Sequence, residues 1–253
     1  MGTTDMLRAN WSPSTRNFTW GPSDFNGHRS YIPRIPQVAS ATDVINRISN
    51  SGADDAIKER YVAETKVIRA FYMWWLFDFF GPVNPRLDPE TLTDTTIIPR
   101  MTNDAYVNWM IQDLNEAIAA PSFQETTNDN WDEWGRFSKG VARMLLLRIY
   151  MHEKQWANAE AAAMSIVNMN YYALESDYAN VFIEKANKEV IWASHANAAS
   201  ENWIPQYFFP GGYAYGYAGT TRIERGPGWY GYAMHWDFFH TFEVNDLRRN
   251  TII

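Results

Sequence analysis

No cysteine occurs in the 253 residues, which removes disulfides, thiolate metal sites and cysteine nucleophiles. Cations are also in deficit. The 22 Lys and Arg face 29 Asp and Glu, and a formal charge of -7 argues against a nucleic-acid or anionic-lipid partner. The longest apolar run, Ala70 to Phe80, is interrupted by Asp78 and falls short of the roughly 20 residues that span a bilayer as a helix. Met1 to Asn10 is polar and has no apolar stretch of the kind a secretory signal carries.

Motifs that bear chemistry are missing too. There is no Gly-x-Ser-x-Gly elbow and no His-Glu-x-x-His. Neither Gly211-Gly212 nor Gly226-Pro227-Gly228 is followed by the Lys-Ser/Thr helix start of a phosphate loop. The histidines, His28, His152, His195, His235 and His240, are scattered. Only the last two are close, and an i,i+5 spacing does not put both on one helical face. Glu64 has no second carboxylate placed opposite it, as glycoside hydrolysis would require. No catalytic residue, cofactor or metal is implied.

Aromatic side chains are what the chain has in excess. Twelve Trp, 14 Tyr and 14 Phe exceed the needs of a core of this size, so some are expected to face solvent. The length suits one domain with a substantial core, and one helical domain over 1–253 is the expected organisation. Helices are expected near 40–49, 54–80, 103–119, 138–153 and 156–169. In the second, Ile57, Tyr61, Glu64, Ile68, Phe71, Trp75 and Phe79 recur at steps of four and three and define a candidate buried stripe. Asp54 or Asp55 is its expected cap, and Gly81 before Pro82 its stop. A buried Glu64 would need a partner, and Arg60 lies one turn before it. Thr102 or Asn103 opens the third helix, and Ser138 is placed to cap the fourth. The spacing Leu147, Tyr150, Trp156, Ala159, Ala163, Ile166 fits a tetratricopeptide helix pair. The fold class is therefore mostly α, with tetratricopeptide-like helical repeats and long irregular aromatic-rich loops.

Those loops hold the candidate binding residues. Trp131 and Trp134 sit three apart in the polar stretch 122–135 and are candidates for exposed stacking surface. Asn128, Asn130 and Asp132 alternate like the opening of a calcium loop, but the glycine and closing Glu of that motif are absent. Residues 205–232 are rich in Tyr and Gly. Tyrosine joins a flat apolar face to a hydroxyl at low entropy cost, which suits sugars or peptides. Trp229, after a Gly-Pro-Gly turn and ahead of a helix expected near Tyr232 or Ala233, is the leading candidate. It is accompanied by Tyr230, Tyr213 and Tyr215.

Several ordered blocks resemble one known family. Ser138-Lys139, Ala142, Leu145-Leu146, Arg148 and Tyr150, then Trp156 and Ala159, Tyr172-Ala173-Leu174, Asp177-Tyr178 and the run Asn187 to Trp192 are similar to the SusD/RagB family. The helix from Glu64 through Arg69-Ala70 to the Gly81-Pro82 turn, and Phe242, Asp246 and Arg248 near the end, agree with it. Proteins of this family are surface lipoproteins of Bacteroidetes that capture nutrients, usually glycans, for outer-membrane transporters. The resemblance implies a non-catalytic, cell-surface glycan-capture protein with a SusC-like TonB-dependent transporter as partner. It implies membrane attachment through a lipid anchor on a cysteine this chain lacks, and a further helical part beyond Ile253. It places ligand-contacting aromatics at Trp229 and at Tyr213 or Tyr215. It also points to Asn10 and Trp11, after Thr4-Asp5, although that early loop is short here. The alternative is a tetratricopeptide-type module whose concave face binds a peptide or protein.

Overall fold

The computed structural model describes residues 7–9, 17, 19, 21, 31–184, 187–194, 229 and 231–251. Its elements in chain order are β1 (Leu7–Ala9), α1 (Ile35–Ser49), α2 (Asp55–Phe80), α3 (Asn103–Ala119), α4 (Lys139–His152), α5 (Trp156–Val167), α6 (Asn180–Ile183), β2 (Tyr232–Met234) and α7 (Trp236–Phe239). The described residues of Phe25–Ser176 and Glu184–Ser194 form one compact unit, and those of Met1–Asp24, Asp177–Ile183 and His195–Ile253 form another. The chain is mostly helical, as the spacings predict.

The helix ends follow local chemistry. α1 starts earlier than expected, with Pro36 in its first turn, where a missing N–H costs nothing. α2 ends at Gly81, whose φ of 69° is the left-handed conformation that glycine supplies at least cost. Thr102 caps α3 by accepting the Ala105 N–H at 3.3 Å. Two expected caps differ: Asp54 and Ser138 occupy the N-cap positions, but neither side chain accepts a capping hydrogen bond. Ser138 is instead buried. Lys154, at φ 57°, makes the break between α4 and α5.

α2 packs against α1, α3 and α4, and α4 packs against α5. Val38, Val67, Met73, Leu76, Tyr106, Met110, Leu114 and Ile149 are fully buried in one cluster. Each large apolar side chain so placed contributes about 1.5–3 kcal/mol. The buried line of α2 runs through Ala63, Val67, Ala70, Met73, Leu76 and Phe77. This corrects the sequence-derived stripe, because Ile57, Tyr61 and Phe79 are exposed. α2 is apolar over most of its C-terminal circumference, so periodicity permits adjacent stripes and the neighbouring helices decide between them. α5 is corrected in the same way. Ala159, Ala162 and Ile166 are buried, whereas Trp156 is 63% exposed, because small residues let α4 and α5 approach.

A buried ion pair ties the helical unit together. Arg69 donates to both carboxylate oxygens of Asp113 at 2.7 and 2.8 Å, and to the Thr42 hydroxyl at 3.1 Å, linking α2, α3 and α1. In the other unit β1 pairs antiparallel with β2, Leu7 opposite Met234 and Ala9 opposite Tyr232. The helix expected near Tyr232 begins only at Trp236, since Tyr232–Met234 takes its backbone partners from a strand far away in sequence.

Candidate functional site

The segment 127–136 is pinned at both ends. The Thr127 hydroxyl donates to the Arg136 carbonyl at 3.1 Å, and the buried Asn128 amide donates to the Val190 carbonyl. At the other end the Trp192 indole N–H donates to the Gly135 carbonyl at 2.8 Å. Gly135 adopts φ 85°, which a side chain would strain. Between the pins, Asn130 accepts the Asp132 N–H at 3.1 Å and starts a short 3₁₀ turn over Trp131–Glu133. The Asn128, Asn130, Asp132 alternation therefore shapes this turn: Asn128 is engaged by Val190 and Asn130 by Asp132. No cluster of three potential metal-ligating side chains occurs among the described residues.

That turn presents the tryptophans. The Trp131 and Trp134 rings lie nearly parallel, 15° apart in plane with centroids 6.1 Å apart. Trp131 is 59% exposed and Trp134 is half-buried. Exposed Asp129 and Asp132 flank Trp131 in sequence, and Asp129 pairs with Lys188 at 3.3 Å.

A charge network fixes the platform to α2. Arg60 donates to Glu133 at 2.8 Å, and Arg136 approaches the same carboxylate at 3.3 Å. Arg136 also makes a bidentate pair with Glu64, its Nε 3.0 Å from Oε1 and a second amino group on Oε2. Hydrogen bonding to Glu64 pushes the Arg136 guanidinium up from its ordinary pKa. Tyr61 lies under both cations, its ring centre 5.4 Å from Arg60 and 5.2 Å from Arg136. Glu64 thus has the partner its burial demands, but it is Arg136 rather than Arg60. Nothing in local spacing foretells this, because the pair joins residues 72 apart.

Of the other candidates, Trp229 is half-exposed and lies in the other compact unit. Asn10, Trp11, Tyr213, Tyr215 and Tyr230 lie outside the described residues. Among the candidates, the structure brings together Trp131 and Trp134.

A helical scaffold built from packed hairpins, with stacked aromatic rings on a braced loop, is the class these features define. Known proteins share the helical scaffold. A SusD-like protein, P25, from Formosa agariphila is 27% identical over 152 residues, covering 58% of this chain and 28% of the relative. A SusD-like protein from Bacteroides ovatus is 23% identical over 231 residues, covering 84% of this chain and 40% of the relative. Among solved structures, a SusD superfamily protein from Parabacteroides distasonis superposes with a TM-score of 0.81 at 18% identity, covering 97% of this chain and 53% of that one. A laminarin-binding SusD-like protein gives 0.69 at 26% identity, covering 79% and 46%. No family model matches. The chain is SusD-like in sequence and in fold, and it spans less than half the length of the two curated relatives. No helix of the described residues is long and apolar enough to cross a membrane.

Proposed function

We propose that this chain belongs to a non-catalytic, cell-surface protein that captures glycans, with the Trp131–Trp134 platform as one contact surface. The observation that carries this is the parallel tryptophan pair, with Trp131 exposed and Trp134 half-buried, on a loop pinned by Asn128, Gly135 and Arg136. A flat ring held in place stacks on the C–H face of a pyranose at little ordering cost, and adjacent carboxylates accept its hydroxyl protons. Trp229 is proposed as a second contact, with Tyr213, Tyr215, Tyr230, Trp11 and Asn10 as further ones. The partner is a SusC-like TonB-dependent transporter, and the location is the outer membrane through a lipid anchor. The SusD-like relatives and the laminarin-binding neighbour support the glycan reading.

Laminarin is the first probe to use, because a solved SusD-like neighbour is named for binding it. Affinity electrophoresis on a polysaccharide panel that includes laminarin should show retardation, lost in Trp131→Ala. Migration unaffected by any polysaccharide would overturn the reading.

A second reading, a helix pair that docks a protein, has one observation in its favour. Trp156, Met164 and Val167 are exposed along one side of α5, at steps of eight and three that keep them within a quarter-turn of one another. Peptide binding without any saccharide response would favour it.

A further inference from the structure

The connection from α2 to α3 is folded back on itself and held rigidly. The Met101 N–H donates to the Val83 carbonyl at 3.1 Å, and Asn84 donates to the Ile98 carbonyl at 3.1 Å while accepting the Tyr31 hydroxyl at 3.1 Å. Arg86 places its two amino groups on the Thr91 and Thr96 carbonyls at 2.9 and 2.8 Å. Between this connection and α3 lies a cleft of about 280 Å³.

Its lining combines two chemistries. Leu87, Ile98, Met101 and Trp109 supply apolar surface, and Trp109 meets the Arg69 guanidinium 5.5 Å from its ring centre. Asp88 and Asp94 supply exposed carboxylates. Asp88 Oδ1 accepts the Glu90 N–H at 3.0 Å. Asp94 Oδ1 accepts the Thr96 N–H and hydroxyl at 2.8 and 2.7 Å. These bonds orient each carboxylate while leaving Oδ2 as an acceptor. The bonds from Thr96, aided by the charge of Arg86, hold the Asp94 carboxyl below the usual carboxylate range, so it is an ionised acceptor at neutral pH.

We propose that this cleft is a second saccharide site that takes one pyranose ring: Trp109 and its aliphatic neighbours meet the C–H face, and Asp88 and Asp94 accept hydroxyl protons. An apolar ligand would desolvate two carboxylates without replacing their hydrogen bonds. An anion would meet the like charge of two carboxylates, which the single charge of Arg86 offsets only in part. The volume of about 280 Å³ falls just below the range of ligand cavities, roughly 300 to 1,000 Å³, so it suits a single ring rather than a chain. The ligand class rests on the saccharide reading above, but the residues do not overlap with Trp131 and Trp134, so the two sites succeed or fail separately.

Nuclear magnetic resonance titration with D-glucose, D-galactose and D-xylose tests the site. The expected result, for at least one sugar, is a saturable shift of the Trp109 indole N–H, assigned with Trp109→Phe, and of amides between Thr91 and Ile98. Asp94→Asn and Asp88→Asn, both at exposed positions that the core does not need, should weaken that response at least tenfold. Trp131→Ala should leave it unchanged. No saturable shift with any of the three sugars overturns the proposal. So does a response lost in Trp131→Ala, which would place the sugar on the platform, or one reproduced by methylammonium, which would make the cleft a cation site.

Discussion

Arg136 closes a bidentate ion pair with Glu64 across 72 positions of sequence. Through it the loop that carries Trp131 is bolted to the middle of α2. Glu64 is only 8% exposed, so removing Arg136 strands a nearly buried carboxylate. Arg136→Met should therefore lower stability by about 2–4 kcal/mol, and Glu64→Gln by somewhat less, because an amide tolerates burial better than an unpaired charge. Urea denaturation of both single variants and the double variant measures the coupling. Additive losses would show that the pair does not act as one.

The Arg69–Asp113 pair is the more deeply buried of the two, with Asp113 1% exposed. Asp113→Ala should cost about 3–5 kcal/mol, since it leaves a guanidinium without its counter-charge in the core. Among the described residues, Arg69 would retain Thr42 as its hydrogen-bond partner. The same denaturation experiment reads this, and a loss under about 1 kcal/mol would contradict it.

Gly140 lies inside α4, where alanine would ordinarily gain about 1 kcal/mol of helix propensity. A Cβ there would lie 2.1 Å from the Tyr172 hydroxyl and 2.9 Å from its Cζ. The overlap outweighs the propensity gain, and Gly140→Ala should lose about 1–3 kcal/mol net. Adding Tyr172→Phe should restore part of this, since the ring carbons remain too near. Thermal melts of the single and double variants decide the sign.

Acid should weaken one α2–α3 contact. Hydrogen bonding from Lys66 holds the Glu116 carboxyl below the ordinary glutamate range. Because the folded value is depressed, the stabilisation is present above the unfolded value, about 4.3, and is lost as pH falls through the folded one. The pair is partly exposed, so its contribution is at most about 1 kcal/mol. The difference in melting temperature between the parent chain and Glu116→Gln should be constant near pH 7 and shrink below about pH 4.3. A difference independent of pH would show that the contact is not ionic.

Trp131→Ala and Trp229→Ala should each leave the melting temperature within about 2 °C of the parent, because both indoles are at least half-exposed and surface changes stay within roughly 0.5 kcal/mol. Each should weaken glycan binding by a few kcal/mol if it anchors the ligand. A variant that melts several degrees earlier while still binding would place its tryptophan in the core.

The helices were legible in the sequence because long periodic segments declare themselves over many residues. Which side of α2 is buried was not. Ile57, Tyr61 and Phe79 match a helical stripe as well as Ala63, Val67 and Ala70 do, and only tertiary neighbours separate them. Trp131 and Trp134 were legible as an i,i+3 aromatic pair in a polar loop. The supports of that loop come from Arg60, Glu64, Val190 and Trp192, and no short-range pattern joins them. The cleft at Trp109 was equally hidden, since its walls belong to a connection that reads as a plain extended linker.

Trp192 and Gly135 meet through a single indole N–H, and Val190 holds Asn128 at the other end of the same segment. The residues between these clasps work as a cassette. Apart from Glu133, which pairs with Arg60 of α2, their sequence can change without touching a helix contact, so ligand preference in this fold can diverge through substitutions at 129–132 and 134 while the clasps and the bundle stay the same. Grafting that segment from one SusD-like scaffold to another is then a route to moving specificity, provided that Asn128, Gly135, Arg136 and Trp192 match, together with the Arg60–Glu133 and Arg136–Glu64 pairs.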